Sequence, residues 1–142
     1  MSGYSVAVSI HVLFAVIGTG LLGAIPLLAR AARTSHTPLS VLETTLRPVF
    51  LFTQIALGLT FLSGAVMDFL THGALHDQGW FRLGALAIVV AGIARARAKT
   101  LLKRGGASKP DPQPVIRGIE GWGAVACFAI AAATVVMELK PF

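Results

Sequence analysis

The chain has 142 residues, of which 55% are hydrophobic and only 13% charged. A soluble domain carries about 25% charged residues, so this composition excludes a disordered chain and an ordinary water-soluble enzyme. The single cysteine, Cys127, excludes an intrachain disulfide scaffold and a cysteine-rich metal site.

A helix that crosses a bilayer needs about 20 mostly apolar residues, and four segments qualify. The first, residues 6–28, carries no charge and one histidine, His11. No Lys or Arg precedes it, and it exceeds the ~7–15 residues of a signal-peptide apolar region, so it reads as a retained helix. Pro26 lies inside it and is expected to remove one backbone hydrogen bond and bend it. The second, residues 49–70, holds one acid, Asp68, near its end. Pro48 just before it suits the first position of a helix, where a missing N–H costs nothing.

The third span starts at Trp80 and is short unless Arg95, Arg97 and Lys99 snorkel to the interface, in which case it runs over residues 80–102. The fourth covers residues 119–139. Between the last two, residues 105–114 (GGASKPDPQP, from Gly105 to Pro114) form a polar Gly/Pro linker that no helix tolerates. The chain is thus read as one all-α domain, an integral membrane bundle of four helices. Glycines recur inside the spans, and in lipid small residues let helix backbones approach closely, which favours a tight bundle or a homo-oligomer.

Ten of the twelve basic residues lie in the two connections that follow spans one and three, against Arg82 and Lys140 on the other side. The positive-inside rule therefore places both connections in the cytoplasm and both termini outside. The same distribution explains the net charge of +6. It makes anionic lipid the natural partner of the cytoplasmic loops and leaves no reading surface for nucleic acid.

His11 lies about seven residues into span one from Tyr4, or about 10 Å along a helix. An ionisable group at that depth is costly, and it marks function or faces the bundle interior. A neutral imidazole there suits an axial ligand to haem iron or a ligand to another metal. The alternative is an interhelical hydrogen bond to Ser63, Thr60 or a backbone carbonyl. At matching depth the other spans offer small residues, Ser63 and Gly64, Gly84 and Ala85, and Ala131 to Ala133. They leave room either for a flat cofactor or only for one another.

His72 and His76 lie between spans two and three. Their i, i+4 spacing would put them on one helical face, able to share copper or a divalent ion with Asp68, Met67 or Asp77. Gly73 weakens that helix, and a solvated loop is the alternative. Glu43 and Glu120 are expected to pair with Arg47 and Arg117, and His36 sits in a loop. No phosphate loop, nucleophile elbow, HExxH or dinucleotide fingerprint is present.

The first span, with His11 followed by Phe14, Gly18, Gly20 and Pro26, resembles the first helix of a group of small bacterial four-span membrane proteins. That group includes the HemJ-type protoporphyrinogen oxidases and the CopD copper-resistance domain. His11 and Pro26 are fifteen residues apart, the spacing of the histidine and late proline in HemJ-type proteins. LTFLSGAVMDF is similar to the "TG-x-M" run of the group's second helix, and GWFRLGAL to the Gly-Trp opening of its third; the position matching its third-helix lysine holds Gly84.

The resemblance covers spans one to three. It implies a protein of the bacterial inner membrane with haem b inside the bundle, His11 as axial ligand and a redox or haem-handling role. The CopD side of the group implies copper handling, with Met67, His72 and His76 on the outer side. A non-catalytic accessory subunit of a larger membrane complex is the third expectation.

Overall fold

The computed structural model describes residues 2–105 and 111–139. It is all helical: α1 spans Gly3–Thr34, α2 Leu39–Leu70, α3 Gly79–Gly105 and α4 Gln113–Leu139. All four are long and apolar enough to cross a membrane, as expected of a multi-pass membrane protein. The helices run 27 to 32 residues, or about 40–48 Å at 1.5 Å per residue. That exceeds the ~30 Å hydrocarbon core, so each helix extends past its apolar window into its polar flanks.

Local chemistry sets the ends. The Ser2 hydroxyl accepts the Ser5 N–H at 3.2 Å and caps α1, as a serine at this position should. The Asp111 carboxylate accepts the Gln113 N–H at 2.9 Å before α4. The linker residues 106–110, with Lys109, and residues 140–142, with Lys140, lie outside the described residues.

Pro48 corrects a boundary. It lies well inside α2, which begins after Pro38 instead. The reason is the stripe Leu42, Leu46, Phe50, Thr53 and Leu57, all buried at helical spacing on either side of the proline. The charged residues Glu43 and Arg47 between them hid this helical turn from an apolar count.

Neighbouring helices are antiparallel, so both ends of the described chain lie at one end of the bundle. His11 near the start of α1 meets Thr60 near the end of α2, and Gly84 near the start of α3 meets Met137 near the end of α4. Helix α1 packs along α2 and α4, and α3 packs along α4. Of the helices that follow one another in the chain, α2 and α3 touch least, and the diagonal pairs α1–α3 and α2–α4 barely meet.

The core cluster of Leu22, Ile25, Ala29, Leu46, Ala98 and Ile116 runs from mid-bundle to the end that carries the basic connections. There α1 and α4 cross closely: a Cβ on Gly123 would stand 2.9 Å from Cδ of Pro26 and 3.1 Å from its backbone nitrogen. The outer surface is apolar, with Val16, Leu62, Leu86 and Phe128 each more than half exposed. An apolar exterior of this extent is a membrane-facing surface.

Candidate functional site around His11

Helix α1 turns His11 toward α2, half-buried. Its Nδ1 lies 2.9 Å from the Thr60 carbonyl oxygen and 3.1 Å from Ser63 Oγ. The carbonyl can only accept, so Nδ1 carries the hydrogen and donates. The two hydroxyls have acceptors in their own helix: Thr60 Oγ1 donates to the Ala56 carbonyl at 2.8 Å, and Ser63 Oγ to Leu59 at 2.7 Å. In the tautomer that donates from Nδ1 the lone pair lies on Nε2, which has no hydrogen-bond partner among the described residues. The interhelical hydrogen bond and the ligand geometry coexist, because a metal-binding histidine usually donates its other N–H to such a carbonyl.

His11 borders a cavity of about 180 Å³ that Thr60, Gly64, Asp68, Phe81 and Met137 also line. Gly64 lies against the ring; a Cβ there would sit 3.6 Å from its Cε1, an ordinary contact. Gly84 does not leave open space, because the Met137 methyl group fills the position a Cβ would take. Met137 thus comes to the site from α4, where the depth count pointed to Ala131, Ala132 and Ala133. Ala132 and Ala133 instead line an apolar groove between α3 and α4. Depth counting weighs backbone position and not side-chain reach, so it gave no signal for Met137.

The loop histidines do not share a helical turn. Helix α2 ends at Leu70, and residues 71–78 form successive turns with His72 and Gly73 at φ of 55° and 82°. Asp68 organises them. Its Oδ1 accepts the N–H groups of Leu75 at 3.0 Å and His76 at 2.8 Å, and its Oδ2 lies 3.4 Å from His76 Nδ1. His76 Nε2 lies 3.4 Å from Asp77. Asp68, His72 and His76 line a groove of about 670 Å³ at the end of the bundle where α2 gives way to α3. Asp68 and Ala65 border both this groove and the His11 cavity. Among the described residues, no three His, Cys, Asp or Glu side chains converge as a metal-binding group.

Two charged residues sit differently from expectation. Arg95 does not snorkel: it is 8% exposed and points at α2, donating to the Phe50 carbonyl at 2.8 Å and to Gln54 Oε1 at 3.2 Å. Glu120 pairs with Arg33 of α1 at 2.9 Å rather than with Arg117, which is exposed on α4. Glu43 has no ion pair among the described residues.

The cavity beside His11 is small for a tetrapyrrole as its side chains stand. Pockets for drug-sized ligands measure roughly 300–1,000 Å³, and the His11 cavity is smaller than that range. The groove between α3 and α4 is large enough, at about 620 Å³, but is lined by aliphatic side chains and Phe128, with no imidazole or thioether. The imidazole and the large space are therefore in different places. A single ion or a few waters do fit at His11. Comparison of the chain with protein-family models, with curated proteins and with solved structures finds no match.

Proposed function

We propose that this protein handles a soft transition-metal ion within the membrane, with copper(I) the ion its ligands suit best. His11 Nε2 and the Met137 thioether form the inner ligand pair, and His72 and His76 form an outer capture site. One observation carries the reading: the Nδ1 hydrogen of His11 is held by the Thr60 carbonyl, which aims the chemistry of the ring at Nε2, beside a cavity that Met137 also lines. Imidazole with thioether favours copper(I) over hard ions, and a soft monovalent ion accepts the low ligand number available here. Asp68, common to the outer groove and the cavity, lies where an ion would pass from one to the other. The basic connections face the cytoplasm by the positive-inside rule, so both metal compartments open toward the outer side of the bacterial inner membrane.

The test is a copper(I) titration of the detergent-purified protein against a chromophoric chelator. The expected result is a bound ion whose affinity falls at least tenfold in His11→Ala and in the volume-conserving Met137→Leu. His72→Ala/His76→Ala should slow loading and leave the inner affinity in place. Unchanged affinity in both inner variants refutes the proposal. A Soret band in the purified protein would replace it with haem binding, and co-purification with a partner but no metal would replace it with an accessory role.

A further inference from the structure

The α2–α3 pair leaves a groove at the basic end of the bundle, away from His11. It measures about 690 Å³ and is lined by Glu43, Arg47, Phe50, Leu51, Lys99 and Lys103, among others. On α3 the cations form a column. Arg95, Lys99 and Lys103 follow one another at i, i+4 and i+8, so they share one helical face, and Arg95 fixes that face toward α2 through Phe50 and Gln54. Arg47 joins from α2. Among the described residues Arg47, Lys99 and Lys103 have no hydrogen bond or ion pair, and Glu43, the one carboxylate in the groove, has none either. Three cations and one carboxylate leave the groove with a net positive charge of two.

From these features we infer that the α2–α3 groove is a binding site for the headgroup of one anionic phospholipid. The phosphate is held among Arg47, Lys99 and Lys103, and an acyl chain descends along Leu51. Basic pockets between membrane helices bind such headgroups, and the depth agrees. Lys103 and Lys99 lie two and six residues before the end of α3 at Gly105, about 3 and 9 Å along a helix. That places them where a ~40 Å helix leaves a ~30 Å hydrocarbon core. The lining also fits a lipid better than a free anion, because exposed Leu51 continues the groove onto the membrane-facing surface, while buried Phe50 and Leu102 give it an apolar wall. This site is independent of the metal reading and tested without metal.

The experiment titrates the whole detergent-purified protein with phosphatidylglycerol, phosphatidylcholine or inorganic phosphate, and reads bound lipid by native mass spectrometry. The expected result is one retained phosphatidylglycerol, with neither of the other probes retained. Each cation near a membrane surface is worth about fivefold in affinity. Arg47→Gln/Lys99→Gln/Lys103→Gln should therefore weaken binding on the order of a hundredfold. Arg30→Gln/Arg97→Gln/Arg104→Gln, which removes three cations from the same end but outside the groove, should leave it within about twofold. Glu43→Gln should tighten it several-fold, which no unfolded variant would do. Equal losses in the two triple variants would reduce the site to diffuse charge, and saturable binding of inorganic phosphate would make it an anion site. Either result overturns the inference, as does weaker binding in Glu43→Gln.

Discussion

Replacing Gly123 by alanine isolates the close crossing of α1 and α4. The new Cβ would stand 2.9 Å from Pro26 Cδ, 3.1 Å from Ile25 Cγ2 and 3.1 Å from the Pro26 backbone nitrogen. Ordinary contact begins near 3.4 Å, so the overlap is a few tenths of an ångström against a rigid ring and a backbone atom, neither of which can rotate away. Overpacking of this kind costs about 1–3 kcal/mol. In lipid, where close backbone approach drives helix association, nothing offsets it except helix propensity, which favours alanine by about 1 kcal/mol. Gly121→Ala supplies the control, because a Cβ there meets nothing within 4 Å and the propensity gain is common to both variants. Thermal unfolding in detergent should therefore place Gly123→Ala about 1–3 kcal/mol below Gly121→Ala. Equal stability of the two would refute the account of how these helices touch.

Three further outcomes follow from the polar contacts. Gln54→Leu removes an acceptor from the buried Arg95 and should destabilise the bundle by about 1–3 kcal/mol, read by the same unfolding assay; Gln54→Glu should be tolerated. Glu120→Gln breaks the link to Arg33, whose side chains are 32% and 23% exposed, so the loss should stay below about 1 kcal/mol and shrink in high salt. Asp68→Ala frees the Leu75 and His76 amides, and hydrogen exchange at those two positions should speed up about tenfold, the effect of losing a capping interaction worth ~1–2 kcal/mol; unchanged exchange would show that the turns hold without Asp68.

The four helices were legible because each carries an uninterrupted apolar window, which hydropathy alone detects. Their ends were not, because the first turns of α2 and the last turns of α3 are built from residues such as Glu43, Arg47, Arg97 and Lys103 that carry charge and drop out of an apolar count. The depth of His11 and its facing of Ser63 and Thr60 followed from counting turns in two antiparallel helices. Met137 escaped that count because it reaches the cavity with a long side chain over Gly84, while backbone depth pointed to the alanines. Arg95 was misread as an interfacial residue because it neighbours Arg97 and Lys99. The stripe Ala91, Ala94, Arg95, Ala98 and Leu102, buried throughout, places it on the inward face and was available from helical spacing. The loop histidines turned on the end of α2 at Leu70, after which His72 and Gly73 both take positive φ and break the helical turn that their spacing assumed.

The central claim is that His11 and Met137 act together on one ion. X-ray absorption at the copper edge of the loaded protein tests it most directly. The account predicts an imidazole nitrogen and a thioether sulfur in the coordination shell, with the sulfur lost in Met137→Leu and the imidazole lost in His11→Ala. A shell of nitrogen and oxygen alone, unaltered by Met137→Leu, would contradict it.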